Sequence, residues 1–239
     1  GPHSSREVGQ RVFVAGARCF GATRSLFGGA ARRLVVPGAR ALPFAERLGE
    51  QGVLLALAAT AYHAAWGSGG AAPDLIVGHG ALGRLLARVA LALGHPAPTV
   101  WERHPERRHG AEGYLVLHPA EDPRRDYRSV YDVSGDASLL DDLVARLAPR
   151  GEIVLAGFYS EPLAFQFAPA FLREARLRVA AEWRPDDLDA VVRLANDGRL
   201  SLGGLITHCR EFSDAEAAYS TAFGDPTCVK MILDWRSAS

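Results

Sequence analysis

The segment DLIVGHGALGRLLARVALALG, residues 74–94, constrains this chain more than any other, because three glycines fall where a short apolar run gives way to a long one. Leu75–Val77 reads as a buried strand, and the apolar positions from Ala81 to Leu93 recur at helical spacing. Gly78, Gly80 and Gly83 therefore form GxGxxG at a strand-to-helix turn. In that context Gly78 permits the tight turn, Gly80 lets a pyrophosphate approach the backbone, and Gly83 lets helix pack on strand. The unpaired N–H groups that open the helix favour an anion. A second strand, TVWE, ends in Glu102, 24 residues beyond Gly78, where a carboxylate accepts hydrogen bonds from an adenosine ribose. Such an acid favours NAD over NADP, whereas Arg103 directly after it is able to take a ribose phosphate and pulls the other way. The bland alternative is that the glycines serve only helix–sheet packing and Glu102 is a solvated strand end.

The surrounding pattern supplies the sheet that such a turn needs. The strand-like runs SVYDVSG, EIVLAGF and LRVAAEW alternate with helical runs in SLLDDLVARLAPRG and PDDLDAVVRLANDG, which predicts βαβ units and a parallel sheet. A helix is expected from Glu46 to Trp66. Before it, RVFVAG and RRLVVP flank a glycine-rich stretch and read as strands of a small antiparallel β unit. The last residues hold a strand LITH, a helix DAEAAYSTAF and a strand VKMILDW. The expected fold is α/β: a Rossmann doubly wound parallel sheet over 48–181, with a partial β-rich catalytic domain at 1–47 and a return to that domain at 182–239.

Composition narrows the partners. Lys plus Arg and Asp plus Glu both number 27, so no global field recruits nucleic acid or an anionic membrane, and small neutral partners are favoured. The apolar run Val53–Trp66 is shorter than the roughly 20 residues a spanning helix needs. Cys19, Cys209 and Cys228 are far apart with no CxxC pair, which argues against a disulfide framework and a sequence-local zinc site and fits a reducing cytoplasm. The first ten residues, GPHSSREVGQ, are polar and lack both a signal-peptide pattern and an initiator Met, so the chain is expected to begin inside a domain.

The order of VGQRVFV, GGAARRLVVP, LALAATAYHAAW, LIVGHGALGRLLARVA, YDVSGD, RGEIVLAGF and LITHCREFSDAEAAYSTAF, followed by CVKMILDW, resembles the medium-chain dehydrogenase/reductase superfamily over essentially the whole chain. Within it, HPAEDPRRDYRSVYDVSGD, GEIVLAGFYSEPLAF and AFGDPTCVKMILDW are similar to the dehydrogenases that act on bacteriochlorophyllide. The resemblance implies NAD-dependent oxidation of a 3-(1-hydroxyethyl) group to acetyl, with a bacteriochlorophyllide as substrate. It implies that the first part of a GroES-like catalytic domain is not represented. Zinc-dependent members carry a Cys four residues before the Thr of a T(G/A)Y segment; here that Thr is Thr60 and the position is Ala56. Only Cys19 stands where relatives hold a four-cysteine structural zinc lobe, so no metal is expected.

Without a metal, a protein group must accept the alcohol proton. Tyr62 and His63, close after Thr60, are the candidates, against a packing role for the imidazole. His79 could touch phosphate but reads more simply as loop-facing, and His208 as structural. By resemblance Thr60, Gly157 and Phe158 lie near the nicotinamide, Ser134 and Gly135 line the adenine side, and Lys230 stands where relatives keep a pyrophosphate-binding Arg. The run FYSEPLAFQFAPAF either walls a planar macrocycle or is core or dimer contact, and a homodimer through the sheet edge stays an open expectation. Two rival functions remain: a zinc-free NADPH-dependent quinone or enone reductase, and a dinucleotide-binding module without catalysis.

Overall fold

The structure, a computed structural model, describes residues 6–16, 30–67 and 69–237. Its centre is a six-stranded, all-parallel sheet of β3 (Leu75–Val77), β4 (Thr99–Trp101), β5 (Leu115–Leu117), β6 (Tyr127–Asp132), β7 (Leu147–Leu155) and β8 (Arg176–Val179), in the order β5-β4-β3-β6-β7-β8. Chain order runs outward in both directions from β3, the doubly wound arrangement. A parallel sheet must be covered on both faces, and β3 is fully buried along its length. Helices α1 (Leu55–Tyr62), α2 (Ala81–Ala92) and α5 (Pro185–Asn196) cover one face, where Leu54, Leu85, Leu86, Val100, Tyr131 and Val191 form one core. Helices α3 (Leu140–Arg146) and α4 (Phe167–Leu172) cover the other, over Leu75, Tyr127, Leu143 and Ile153.

Two small strand pairs flank the sheet. β1 (Val12–Val14) pairs antiparallel with β2 (Ala41–Pro43), and β9 (His208–Glu211) pairs parallel with β10 (Met231–Asp234), the helix α6 (Ala215–Gly224) lying between them in sequence. Among the described residues no helix is long and apolar enough to cross a membrane.

Three local expectations change, and two elements are added. The helix expected over Glu46–Trp66 is three pieces: a 3-10 segment at Glu46–Leu54, α1, and a π turn at His63–Gly67. The break lies at Gly49, whose φ of 51° and ψ of −127° no helix accommodates. RRLVVP forms no strand; its Val35 is exposed, and the residues that pair with β1 are those after it, at Ala41–Pro43. LITH is displaced toward its C-terminal end, because β10 pairs Met231 with His208. Strand β5 and helix α4 were not legible: three residues of edge strand carry too little alternation, and α4 has one buried residue, Ala170.

A buried carboxylate ties β4 to β6. Asp122 accepts hydrogen bonds from Trp101 Nε1–H (2.7 Å), the Tyr127 hydroxyl (2.6 Å) and the Arg124 backbone N–H (2.8 Å). Burial pushes its carboxyl up, but these donors together with Arg146 outweigh that and hold it below the usual carboxylate range. Asp122→Ala strips the partners from two buried donors and is expected to cost about 3 kcal/mol, roughly 6–12 °C in Tm, read by thermal melting.

Candidate functional site

The glycine turn follows from three steric facts. Gly78 has φ +105°, open to glycine and strained for any other residue, and its N–H donates to the Trp101 carbonyl at 2.9 Å. A Cβ on Gly83 would lie 1.9 Å from the Gly78 carbonyl oxygen, so only glycine lets α2 start this close to β3. A Cβ on Gly80 would meet nothing within 4 Å, which leaves the backbone at the head of α2 open to a ligand. That opening belongs to a cavity of about 220 Å³ at the carboxyl ends of β3, β4 and β6, lined by Gly78, Gly80, Glu102, Arg103, Ser134 and Asp136 among others. It sits where the strand order reverses, the place at which open α/β sheets bind ligands.

Glu102 is buried at this cavity and held on both oxygens. Oε2 accepts the His79 backbone N–H at 3.1 Å and Oε1 accepts that of His104 at 2.9 Å. Each carboxylate oxygen has a second lone pair, so Glu102 is oriented by the turn and able to take a further donor. Ser134 follows β6 in a tight Asx turn, its N–H and hydroxyl both donating to Asp132 Oδ1 at 2.9 and 2.6 Å. Gly135 (φ +75°) and Gly157 pack directly on one another, a Cβ on Gly157 lying 2.9 Å from the Gly135 nitrogen. The turns after β6 and β7 thus touch, and Phe158 beyond them is 94% exposed.

The arginine-rich loop after β4 is built by guanidinium groups on carbonyl oxygens. Buried Arg84 donates to the carbonyls of His79 and Arg107, both at 3.0 Å, and Arg108 to those of Glu102 (2.9 Å) and Arg103 (3.1 Å). Arg107 Nε donates to the Pro226 carbonyl. His79 is fully buried rather than facing a ligand: Nδ1 lies 2.6 Å from the Arg107 carbonyl and Nε2 2.8 Å from the Tyr114 hydroxyl. Burial pulls its pKa down to about 4, so the neutral ring donates from Nδ1 and accepts at Nε2. Sequence reading treated this histidine as a bystander; its signal, a polar residue inside a glycine turn, gives no hint of the partners 28 and 35 residues away.

The structure does not bring the expected proton acceptors to this cavity. Tyr62 turns onto Trp66, their ring centroids 5.8 Å apart, and Trp66 in turn stacks on His95 at 5.4 Å and donates to its Nε2. His95 belongs to the loop entering β4, at the opposite end of the sheet from the glycine turn. His63 is buried, with Nδ1 2.7 Å from Asp187 Oδ2 at the head of α5. Asp187 also accepts the Arg184 N–H, so the pair joins α1 to α5. Lys230 likewise lines a separate cavity beside Ala218, Cys228 and Met231, and its carbonyl accepts the N–H groups of Thr207 and His208. His208 has Nδ1 2.9 Å from the Thr207 hydroxyl. Thr60 lines a third cavity, of about 610 Å³, between β1–β2 and α5, with Phe13, Leu42, Trp183 and Leu188.

A metal finds no donor set in the described residues. Ala56 presents a methyl group, its carbonyl accepting the Thr60 hydroxyl at 3.0 Å, and no three His, Cys, Asp or Glu side chains gather among the described residues. Cys19 lies outside the described residues. The aromatic run FYSEPLAFQFAPAF is divided: Tyr159 and Ala170 pack with the core, while Phe158, Phe167 and Phe171 are exposed.

No family model matches the chain. It is 58% identical over its whole length to the 2-desacetyl-2-hydroxyethyl bacteriochlorophyllide A dehydrogenase of Cereibacter sphaeroides, and 56% identical over 99% of its length to that of Rhodobacter capsulatus. The chain belongs to this bacteriochlorophyllide dehydrogenase family. It spans 76% of the length of each of these relatives. The acetophenone reductase of Geotrichum candidum, solved in complex with NAD, superposes with a TM-score of 0.74 over 95% of this chain and 74% of its own, at 19% identity, which speaks for the fold. As a member of this family the chain is an oxidoreductase.

Two measurements check this geometry. His63→Gln should lower stability by about 3 kcal/mol, since Asp187 loses a buried partner, while kcat per folded molecule and its pH profile stay unchanged; a selective fall in kcat would return His63 to the chemistry. For His79, the folded pKa of about 4 lies below the ordinary 6.5, so the fold favours the neutral ring. The unfolded chain binds the proton first, and stability falls as pH drops from about 6.5 to about 4. Tm measured across that window should slope less in His79→Gln than in the parent protein.

Proposed function

We propose that this dehydrogenase oxidises the 3-(1-hydroxyethyl) group of a bacteriochlorophyllide to a 3-acetyl group with NAD, in the synthesis of bacteriochlorophyll. The observation that carries the substrate is the match, at 58% identity over the whole chain, to a relative named for that activity. The cavity over the glycine turn supports the cofactor. The open backbone at Gly78, Gly80 and the head of α2 suits a pyrophosphate, and Glu102, oriented by two backbone N–H groups, suits ribose hydroxyls. Ser134 and Gly135 take the adenine side, while Gly157, Phe158 and Thr60 take the nicotinamide side.

The alcohol carbon gives up a hydride and its oxygen a proton, leaving the carbonyl; NAD, when bound, supplies the hydride acceptor. The chain's own residues orient and shield. Thr60 lines a cavity that combines apolar walls, Phe13, Leu42, Trp183 and Leu188, with the charged side chains of Arg40, Glu182 and Asp189, a setting that suits a flat macrocycle carrying polar edges. We read the chemistry as independent of zinc, because a methyl group at Ala56 offers no lone pair where zinc-dependent relatives place a thiolate. We read Tyr62, packed on Trp66, and His63, paired with Asp187, as standing outside the proton transfer. A cytoplasmic location accords with this chemistry and with the widely spaced cysteines.

The test is incubation of the protein with 3-(1-hydroxyethyl)bacteriochlorophyllide a and NAD under zinc chelation, following NADH absorbance and the pigment's red band together. Both signals should move at matched rates as the acetyl group joins the conjugated ring. If neither moves while NADPH reduces a quinone, the protein is a reductase; if NADH binds and nothing turns over, it is a binding module.

A further inference from the structure

The rim of the glycine cavity holds a charge pair that nothing in the glycine motif requires. Arg103, directly after Glu102, donates from Nη1 to Asp136 Oδ2 at 3.1 Å, joining the loop after β4 to the loop after β6 across the mouth. Both residues line the same 220 Å³ cavity as Gly80 and Glu102. Asp136 is not a loose surface acid. Its other oxygen, Oδ1, accepts the Ser138 hydroxyl at 2.6 Å and the Ser138 N–H at 3.1 Å. Those two bonds fix the carboxylate with Oδ2 aimed at Arg103. Hydrogen bonding from Ser138, with the Arg103 charge beside it, holds the carboxyl below the usual range, so it is ionised at neutral pH.

The other guanidinium groups of this region are held on backbone carbonyls, Arg107 among them although it too lines the cavity. Arg84 is buried and spent on two carbonyls, Arg108 on two more, and Arg107 reaches Pro226. Arg103 is two-thirds exposed, stands one residue from the ribose-facing acid, and so is the guanidinium best placed to meet a phosphate on the ribose 2′-oxygen. A guanidinium can pair bidentately with a carboxylate or a phosphate, but not with both through the same face.

We propose that Asp136 is a specificity-determining residue for the dinucleotide: by occupying Arg103 it denies a 2′-phosphate the cation that stands beside Glu102 and keeps the site selective for NAD. The inference rests on the NAD reading above and assigns the selectivity to a residue outside the glycine motif. Glu102 repels the phosphate, and Asp136 removes the partner that would otherwise offset that repulsion. The Arg103 that clouded the sequence reading is thereby accounted for.

The experiment is a set of equilibrium titrations of NADH and NADPH by their fluorescence, on the parent protein, Asp136→Asn, Arg103→Ala and the double variant. Asn keeps an oxygen for Ser138, and a melt confirms that each variant is folded. In Asp136→Asn the NADPH Kd should fall about fivefold, the upper end of what one charge contact at an exposed site is worth, with NADH changed by less than about twofold. The gain should vanish in the double variant, because it is Arg103 that binds the phosphate. No gain in Asp136→Asn overturns the proposal. So does a gain that survives loss of Arg103, which would make Asp136 a source of general repulsion alone. A parent protein that binds NADPH as tightly as NADH instead defeats the NAD reading itself, before any variant is measured.

Discussion

The contact on which the rest of the site depends is the one between Gly83 and the carbonyl oxygen of Gly78, where a single methyl group would have to occupy space 1.9 Å from an oxygen. It sets how close α2 begins to the end of β3. Because α2 begins there, Gly80 at its head borders the cavity, and the Gly78 turn can hand its N–H to Trp101 on the neighbouring strand. The same turn directs the His79 N–H at Glu102 and the His79 ring into the loop after β4. One backbone approach therefore shapes the opening at Gly80, orients Glu102 and anchors the loop that carries Arg103.

That loop shows how a charged segment can be structural. RHPERRH has the look of a solvated surface stretch or an anion-binding patch. In the fold its arginines, with Arg84 from α2, mostly cap backbone carbonyls that the irregular path from Glu102 to Tyr114 leaves without strand partners. Buried carbonyls need donors, and guanidinium groups supply several from one side chain. Arg103 instead meets the carboxylate of Asp136 across the cavity mouth.

Legibility followed the range of the interactions. GxGxxG and the acid at Glu102 were readable because each is tied to a local turn at a fixed distance from a strand. The buried runs LIV, VYD and IVL were readable because a parallel sheet covered on both faces demands continuous apolar sequence. Strand β5 was not, since three edge residues with one exposed, Leu115, carry no period. Tyr62 and His63 were read from their closeness in sequence to Thr60. Two or three residues along a helix turn a side chain by well over half a circle or onto the next turn, and here that carries both toward Trp66, His95 and Asp187. Lys230 was carried over from relatives by its place before the last strand, and the local pairing with Thr207 put it on another cavity.

By itself the sequence determined the class of fold, the glycine turn and the acid beside it, because sterics at a positive φ and the burial of parallel strands act within a few residues. It also determined that Ala56 has no donor to offer a metal. Only the tertiary structure decided which charged and aromatic side chains meet the cavity. Those outcomes depend on contacts between residues 33 apart, as with Arg103 and Asp136, or 124 apart, as with His63 and Asp187, and no local pattern encodes a partner at that distance.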